Sequence, residues 1–114
     1  WSAKWPVQAW LWINNNLLLV TLVEEALFRG YLQGGLTRRF RHLAYGEDLA
    51  LLSASLLFGL AHWGAGWEWV LLASLAGAGY GLAYRCGGLA AAIATHFGLN
   101  LLHFTLFTYP MLAS

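Results

Sequence analysis

The chain has 114 residues, 60% hydrophobic and 10% charged, with a mean hydropathy of +0.58 and a formal net charge of +1. A soluble domain carries about 25% charged residues, so this supply is too small to cover a water-facing surface. The apolar excess excludes disorder, the lone Cys86 excludes an internal disulfide framework, and the charge balance offers no basic face for nucleic acid. The expected class is all-α: a multi-pass transmembrane helical bundle of about four spans.

Four stretches lack Asp, Glu, Lys and Arg: 5–23, 49–67, 69–84 and 86–114. A bilayer core takes about 20 apolar residues of helix. The second and fourth stretches meet that length, and the third meets it if Glu68 or Arg85 snorkels to an interface. Asn14, Asn15 and Asn16 interrupt the first. Asn is a favoured N-cap, so the spacing predicts a helix start there. The span then runs from 17 to about 37, with 1–13 as an interfacial or separate piece. No segment alternates apolar and polar residues over the length a membrane barrel strand needs.

Small residues recur at Gly77 and Gly81, a spacing that lets helices approach closely in lipid. Gly87 and Gly88, just past Arg85, predict a turn between the third and fourth spans. Arg38, Arg39 and Arg41 lie between the first two spans and Arg85 between the last two, while the 64–68 connection has no basic residue. The positive-inside rule therefore puts the 1–2 and 3–4 loops in the cytoplasm. The tryptophans, Trp1 and Trp5 among them, read as an interfacial belt. The chain opens without Met or a signal-like segment, so it is expected to be the core, 1–114, of something longer.

Charged and polar groups inside a span are costly and by default mark function. Here they fall in three places: Glu24-Glu25-x-x-x-Arg29, Phe58-x-x-x-His62 and His96-x-x-x-Asn100. Glu25 and Arg29, four apart and acid first, share a helical face. Their pairing leaves Glu24 pointing elsewhere. Glu24 and His62 are equidistant from residue 43, so a hairpin bent there brings them to one depth. His96 and Asn100 lie about 12–18 Å of helix past Gly88, and Glu24 lies about 21 Å back from Arg38. One intramembrane layer then holds a carboxylate, two imidazoles and a carboxamide.

That set suits amide hydrolysis. Glu24 is placed to take a proton from water, and His62 to hold that water and share the proton. His96 and Asn100 are placed to donate to the oxyanion. No Ser or Cys nucleophile is convincingly placed, which favours direct attack by water. Phe58 and Phe28 read as packing, with Phe58 lining the site, and His103 as an interfacial or packing residue.

These three motifs in this order, with the flanking Phe28-Arg29-Gly30-Tyr31-Leu32 and Gly87-Gly88-Leu89, resemble the CPBP family. That family comprises the CAAX prenyl endopeptidases and their bacterial relatives in bacteriocin processing and immunity. The resemblance covers about 17–102. It implies an all-helical intramembrane glutamate protease whose site opens toward cytosol and lipid, and which needs no cofactor. Glu24 would be the water-activating base, His62 its partner, and His96 and Asn100 the oxyanion donors. Glu25, Arg29 and Phe58 would support them.

The implied partners are a peptide or membrane-tethered protein substrate and membrane lipid, in a bacterial plasma membrane. Two alternatives stay open. In one, Glu24, His62 and His96 ligate zinc with water as fourth ligand. In the other, the polar cluster is the core of a non-catalytic membrane immunity or binding protein.

Overall fold

The computed structural model describes residues 9–108, and every regular element among them is helical. Helix α1 runs unbroken over 9–39. Its α-helical segments Ala9–Asn15, Leu22–Glu25 and Gly34–Arg39 alternate with π-helical segments Asn16–Thr21 and Ala26–Gln33. It stops at Phe40 (φ −98°, ψ 6°), after Arg38 and Arg39 have placed two cations against the negative end of the helix dipole. Helix α2, Gly46–Leu60, opens with Glu47 and Asp48 in its first turn, the complementary arrangement at the positive end.

A single 3-10 turn, Trp63–Ala65, follows α2, and Gly66 at φ 112° turns the chain into the next helix. Backbone hydrogen bonding is helical from Trp67 through His103, but Gly88 breaks it with φ 79° and ψ −167°. Both values lie where only glycine is at ease. The break divides the element into α3, 67–87, and α4, 89–108. Tyr80 and His96, 16 positions apart in sequence, would stand about 24 Å apart on a straight helix. Their ring centroids are 4.3 Å apart, so the chain reverses at Gly88, where the sequence predicts a turn.

Packing follows the small residues. Arg29 Nη2 donates to the Gly77 carbonyl (2.9 Å) and Gln33 Nε2 to the Gly81 carbonyl (3.2 Å). These two clamps advance in step, so α1 and α3 run parallel. A methyl group on Gly77 would come within 3.0 Å of the Phe58 ring, and one on Gly81 within 2.9 Å of Gln33 Oε1. The close approach that the Gly77/Gly81 spacing implies is therefore used. Helices α2 and α3 pack antiparallel just as tightly: a Cβ on Gly59 would collide with Ser74 Oγ and lie 2.7 Å from the Val70 carbonyl oxygen. The buried apolar centre is small, comprising Phe58, Ala73 and Tyr80 with Phe28 and Ala76 against it.

Around that centre the outer faces are aliphatic. Leu18, Leu19, Leu52, Leu56, Leu71, Leu75 and Leu82 are all exposed. So large an apolar exterior calls for a non-aqueous surrounding. One helical element, Trp67–Leu106, is long and apolar enough to cross a membrane, and only 11% of its most apolar window is buried in protein. Because that element folds back at Gly88, it is two antiparallel limbs. Among the described residues the expected all-helical architecture is present, with one element long and apolar enough to span a membrane rather than about four.

The helix start expected at Asn14, Asn15 and Asn16 is corrected. The helix is already formed at Ala9, and Asn15 is helical (φ −62°, ψ −48°) without a capping hydrogen bond. Residues 9–13 thus belong to α1 rather than to a separate piece. The rest of that expectation, with Trp1 and Trp5, lies outside the described residues.

Candidate active site

Glu25 and Arg29, the one acid–base pair four apart on α1, are both fully buried, with Arg29 Nε 3.1 Å from Glu25 Oε1. The two atoms are close but not aligned as a hydrogen bond, so the pairing is chiefly Coulombic. Three further contacts hold Arg29. Its Nη2 donates to the Gly77 carbonyl, and its guanidinium carbon stands 5.2 Å from the Phe58 ring centroid and 5.9 Å from that of Tyr80. Aromatic faces at that range attract a cation.

The other carboxylate oxygen of Glu25 reaches α4: Oε2 is 2.7 Å from His96 Nδ1. An ionised carboxylate only accepts, so His96 Nδ1 carries the proton and donates it. That fixes the tautomer. When the ring is neutral Nε2 carries the lone pair; it faces Glu24, with Oε1 3.7 Å away. Glu24 is the more open of the two carboxylates, with 31% of its side chain exposed against none for Glu25. Sequence neighbours have diverged. Glu25 braces the ring, while Glu24 stands across from its free nitrogen, beyond direct hydrogen-bond distance.

His96 also lines a largely apolar cavity of about 390 Å³. Phe58, His62, Trp69, Tyr80 and Asn100 share its wall. His62 and His96 flank Phe58, with centroids 5.0 and 5.7 Å from that of its ring. Phe58 therefore both packs the core and lines the cavity. His62 Nδ1 is 2.8 Å from the Phe58 carbonyl oxygen, an acceptor, so Nδ1–H donates and Nε2 stays free to accept. His62 makes no hydrogen bond to Glu24. Asn100 Nδ2 donates to Asn16 Oδ1 (3.3 Å), which also accepts from Thr21 Oγ1 (3.1 Å). His103 lies on the same wall beside Trp69, ring centroids 6.4 Å apart.

The structure thus joins Glu25, Arg29 and His96 directly, sets Glu24 3.7 Å from His96 Nε2, and gathers His62, Asn100 and Phe58 onto the cavity that His96 lines. Three participants carry no signal in the sequence for the part they play here. Tyr80 stacks on His96, Asn16 holds Asn100, and Gln33 repeats the Arg29 clamp one turn along. An aromatic residue or an amide inside an apolar run has no pattern that separates it from packing. Among the described residues, no three His, Cys, Asp or Glu side chains converge closely enough to hold a metal ion. The zinc set of Glu24, His62 and His96 is not assembled.

The fold and this cluster define a helical protein with an apolar exterior and an acid–imidazole centre at an apolar cavity. Its family is narrower. A family model described as type II CAAX prenyl endopeptidase Rce1-like matches residues 6–102, and the chain belongs to the Rce1-like family. Curated proteins and solved structures yield no significant match. The family is membrane-embedded and points to CAAX-type intramembrane protease activity on peptide or protein substrates in membranes. This agrees with the family resemblance carried by the three motifs.

Proposed function

We propose that the chain is the catalytic core of a multi-pass membrane endopeptidase that hydrolyses a peptide bond with a water activated by Glu24. The observation that carries this reading is His96 held between two carboxylates, Glu25 at 2.7 Å and Glu24 at 3.7 Å, on the wall of an apolar cavity. A structural role needs only one of those carboxylates, since Glu25 already completes the Arg29 pair.

In the proposed reaction, water beside Glu24 loses a proton to that carboxylate as its oxygen attacks the scissile carbonyl. The proton passes to His96 Nε2, the nitrogen left bare by the bond to Glu25. His96 Nε2–H and the second amide hydrogen of Asn100 then donate to the oxyanion. As the C–N bond breaks, His96 returns the proton to the leaving nitrogen. One water is consumed, and one acid and one amine result. The geometry favours His96 over His62 as the proton partner of Glu24. His62 serves as a wall residue whose free Nε2 accepts hydrogen bonds from water or substrate.

The same reading makes 1–114 one protease core with its motif region at about 17–102, crossing the membrane about four times. The arginine-bearing ends of α1 and α3 face the cytoplasm of a bacterial plasma membrane, and the substrate is a peptide or a membrane-tethered protein. Cleavage of membrane-tethered peptides in liposomes tests the reading, with the parent and Glu24→Gln compared in the presence and absence of chelator. The expected result is a loss of about 10²–10⁴-fold, the usual weight of a general base, with folding intact and chelator without effect. Full cleavage by Glu24→Gln contradicts the reading, and loss of parental cleavage to chelator favours zinc.

A further inference from the structure

The Tyr80 ring lies on the face of the His96 imidazole, with centroids 4.3 Å apart and planes 13° from parallel. Both residues are buried, at 3% and 4% exposure. Phe58 closes the arrangement from the side, edge-on to both rings at 5.9 and 5.7 Å. A histidine bonded at one nitrogen still has a freedom: its ring swings about the bond that carries it, and Nδ1 and Nε2 move together. Glu25 fixes a distance at Nδ1. It does not fix the plane in which Nε2 points.

We infer that Tyr80 is a positioning residue for His96, setting the imidazole plane so that Nε2 faces Glu24. The inference rests on the proteolytic reading for its kinetic consequences, but its geometry stands apart from them. Tyr80 is itself anchored. Three positions earlier on α3, the Gly77 carbonyl accepts the Arg29 hydrogen bond, and the Arg29 guanidinium stands over the Phe58 and Tyr80 rings. One short stretch of α3 therefore holds both the ion pair that braces Nδ1 and the ring that orients the plane. Stacking needs an aromatic face and not a hydroxyl, so phenylalanine should substitute and leucine should not.

Two readouts on the full chain in detergent or liposomes, for the parent, Tyr80→Phe and Tyr80→Leu, test this. The first is ¹⁵N NMR of histidine-labelled protein, with the His96 signals assigned by their loss in His96→Gln. In the parent and Tyr80→Phe backgrounds, adding Glu24→Gln should shift the His96 Nε2 signal, and in the Tyr80→Leu background it should not. The second is peptide cleavage. Tyr80→Leu should lower kcat by about 10²-fold, the scale of a misplacement of about 1 Å, with KM little changed, and Tyr80→Phe should restore it.

A His96 Nε2 signal that still responds to Glu24→Gln in a folded Tyr80→Leu overturns the inference, whatever the activity. So does a Tyr80→Phe that behaves like Tyr80→Leu. If the parent cleaves nothing while the Nε2 signal responds as expected, the proteolytic reading fails and the positioning role stands.

Discussion

The middle of α1 and its C-terminal end each lie near an arginine paired with acids, and the two places use the pairing in opposite ways. In the middle of the bundle Arg29 and Glu25 are fully buried, and their partners are a backbone carbonyl, two aromatic faces and His96. At the charged end Arg85 reaches Asp48 at 2.8 Å and Glu47 at 3.1 Å, all three exposed to some degree. The distances are alike, but the surroundings are not. Water and salt compete for the outer pair, whereas nothing but protein solvates the inner one. A buried charge left alone is expensive, so the inner pair constrains everything attached to it, including the His96 imidazole. The outer pair ties α2 to α3 without orienting chemistry.

The largest difference should emerge from Arg29→Met. Removing one partner leaves Glu25 buried and uncompensated, at a cost of about 3–5 kcal/mol. Reversible unfolding in detergent would register this, and a loss below 1 kcal/mol would mean that Arg29 is not load-sharing with the core. Pairing it with Glu25→Met sharpens the point. The double variant should recover most of the stability, since apolar replacement of both partners is often tolerated. It should not recover cleavage, because His96 Nδ1 has then lost its acceptor.

The smallest effect should come from Arg85→Gln. The hydrogen bond from Arg85 to Asp48, with the nearby charge of Glu47, holds the guanidinium even more firmly protonated than usual. A cationic group whose proton affinity is raised on folding contributes its stability below its ordinary titration range and loses it only above. That range lies beyond any working pH, so no pH dependence follows from Arg85. Salt is the effective lever. Arg85→Gln should lower the melting temperature slightly at low salt and not at all at high salt, by scanning calorimetry. A large salt-independent drop would erase the contrast between the two regions.

How much of this could be read from the sequence depends on how local each feature is. Glu25 with Arg29, the Gly77/Gly81 approach and the turn at Gly88 follow from spacing within a few residues, and each has its expected partner or dihedral angle. The three motifs could be assigned to one layer because hairpin depth follows from counting residues. Which imidazole meets Glu24 could not. That depends on the rotation of α4 against α1, and α1 contains two π-helical segments that a period of 3.6 does not anticipate.

Asn16 shows the failure most plainly. Its local preference is capping, but its partner is Asn100, 84 residues away. A partner across the bundle outweighs a local tendency. The Arg85–Asp48 contact spans 37 residues and depends on the packing of α2 on α3. Tyr80 is the extreme case, an aromatic residue in an apolar helix whose importance lies wholly in what it touches.

In the proposed reaction Glu24 and His96 act as one unit. Single-turnover cleavage by Glu24→Gln, His96→Gln and the double variant tests this most directly. Residues that act as a unit are strongly non-additive. The double variant should therefore be about as slow as the slower single. Losses that multiply in the double variant would contradict the account, separating the two side chains into independent roles.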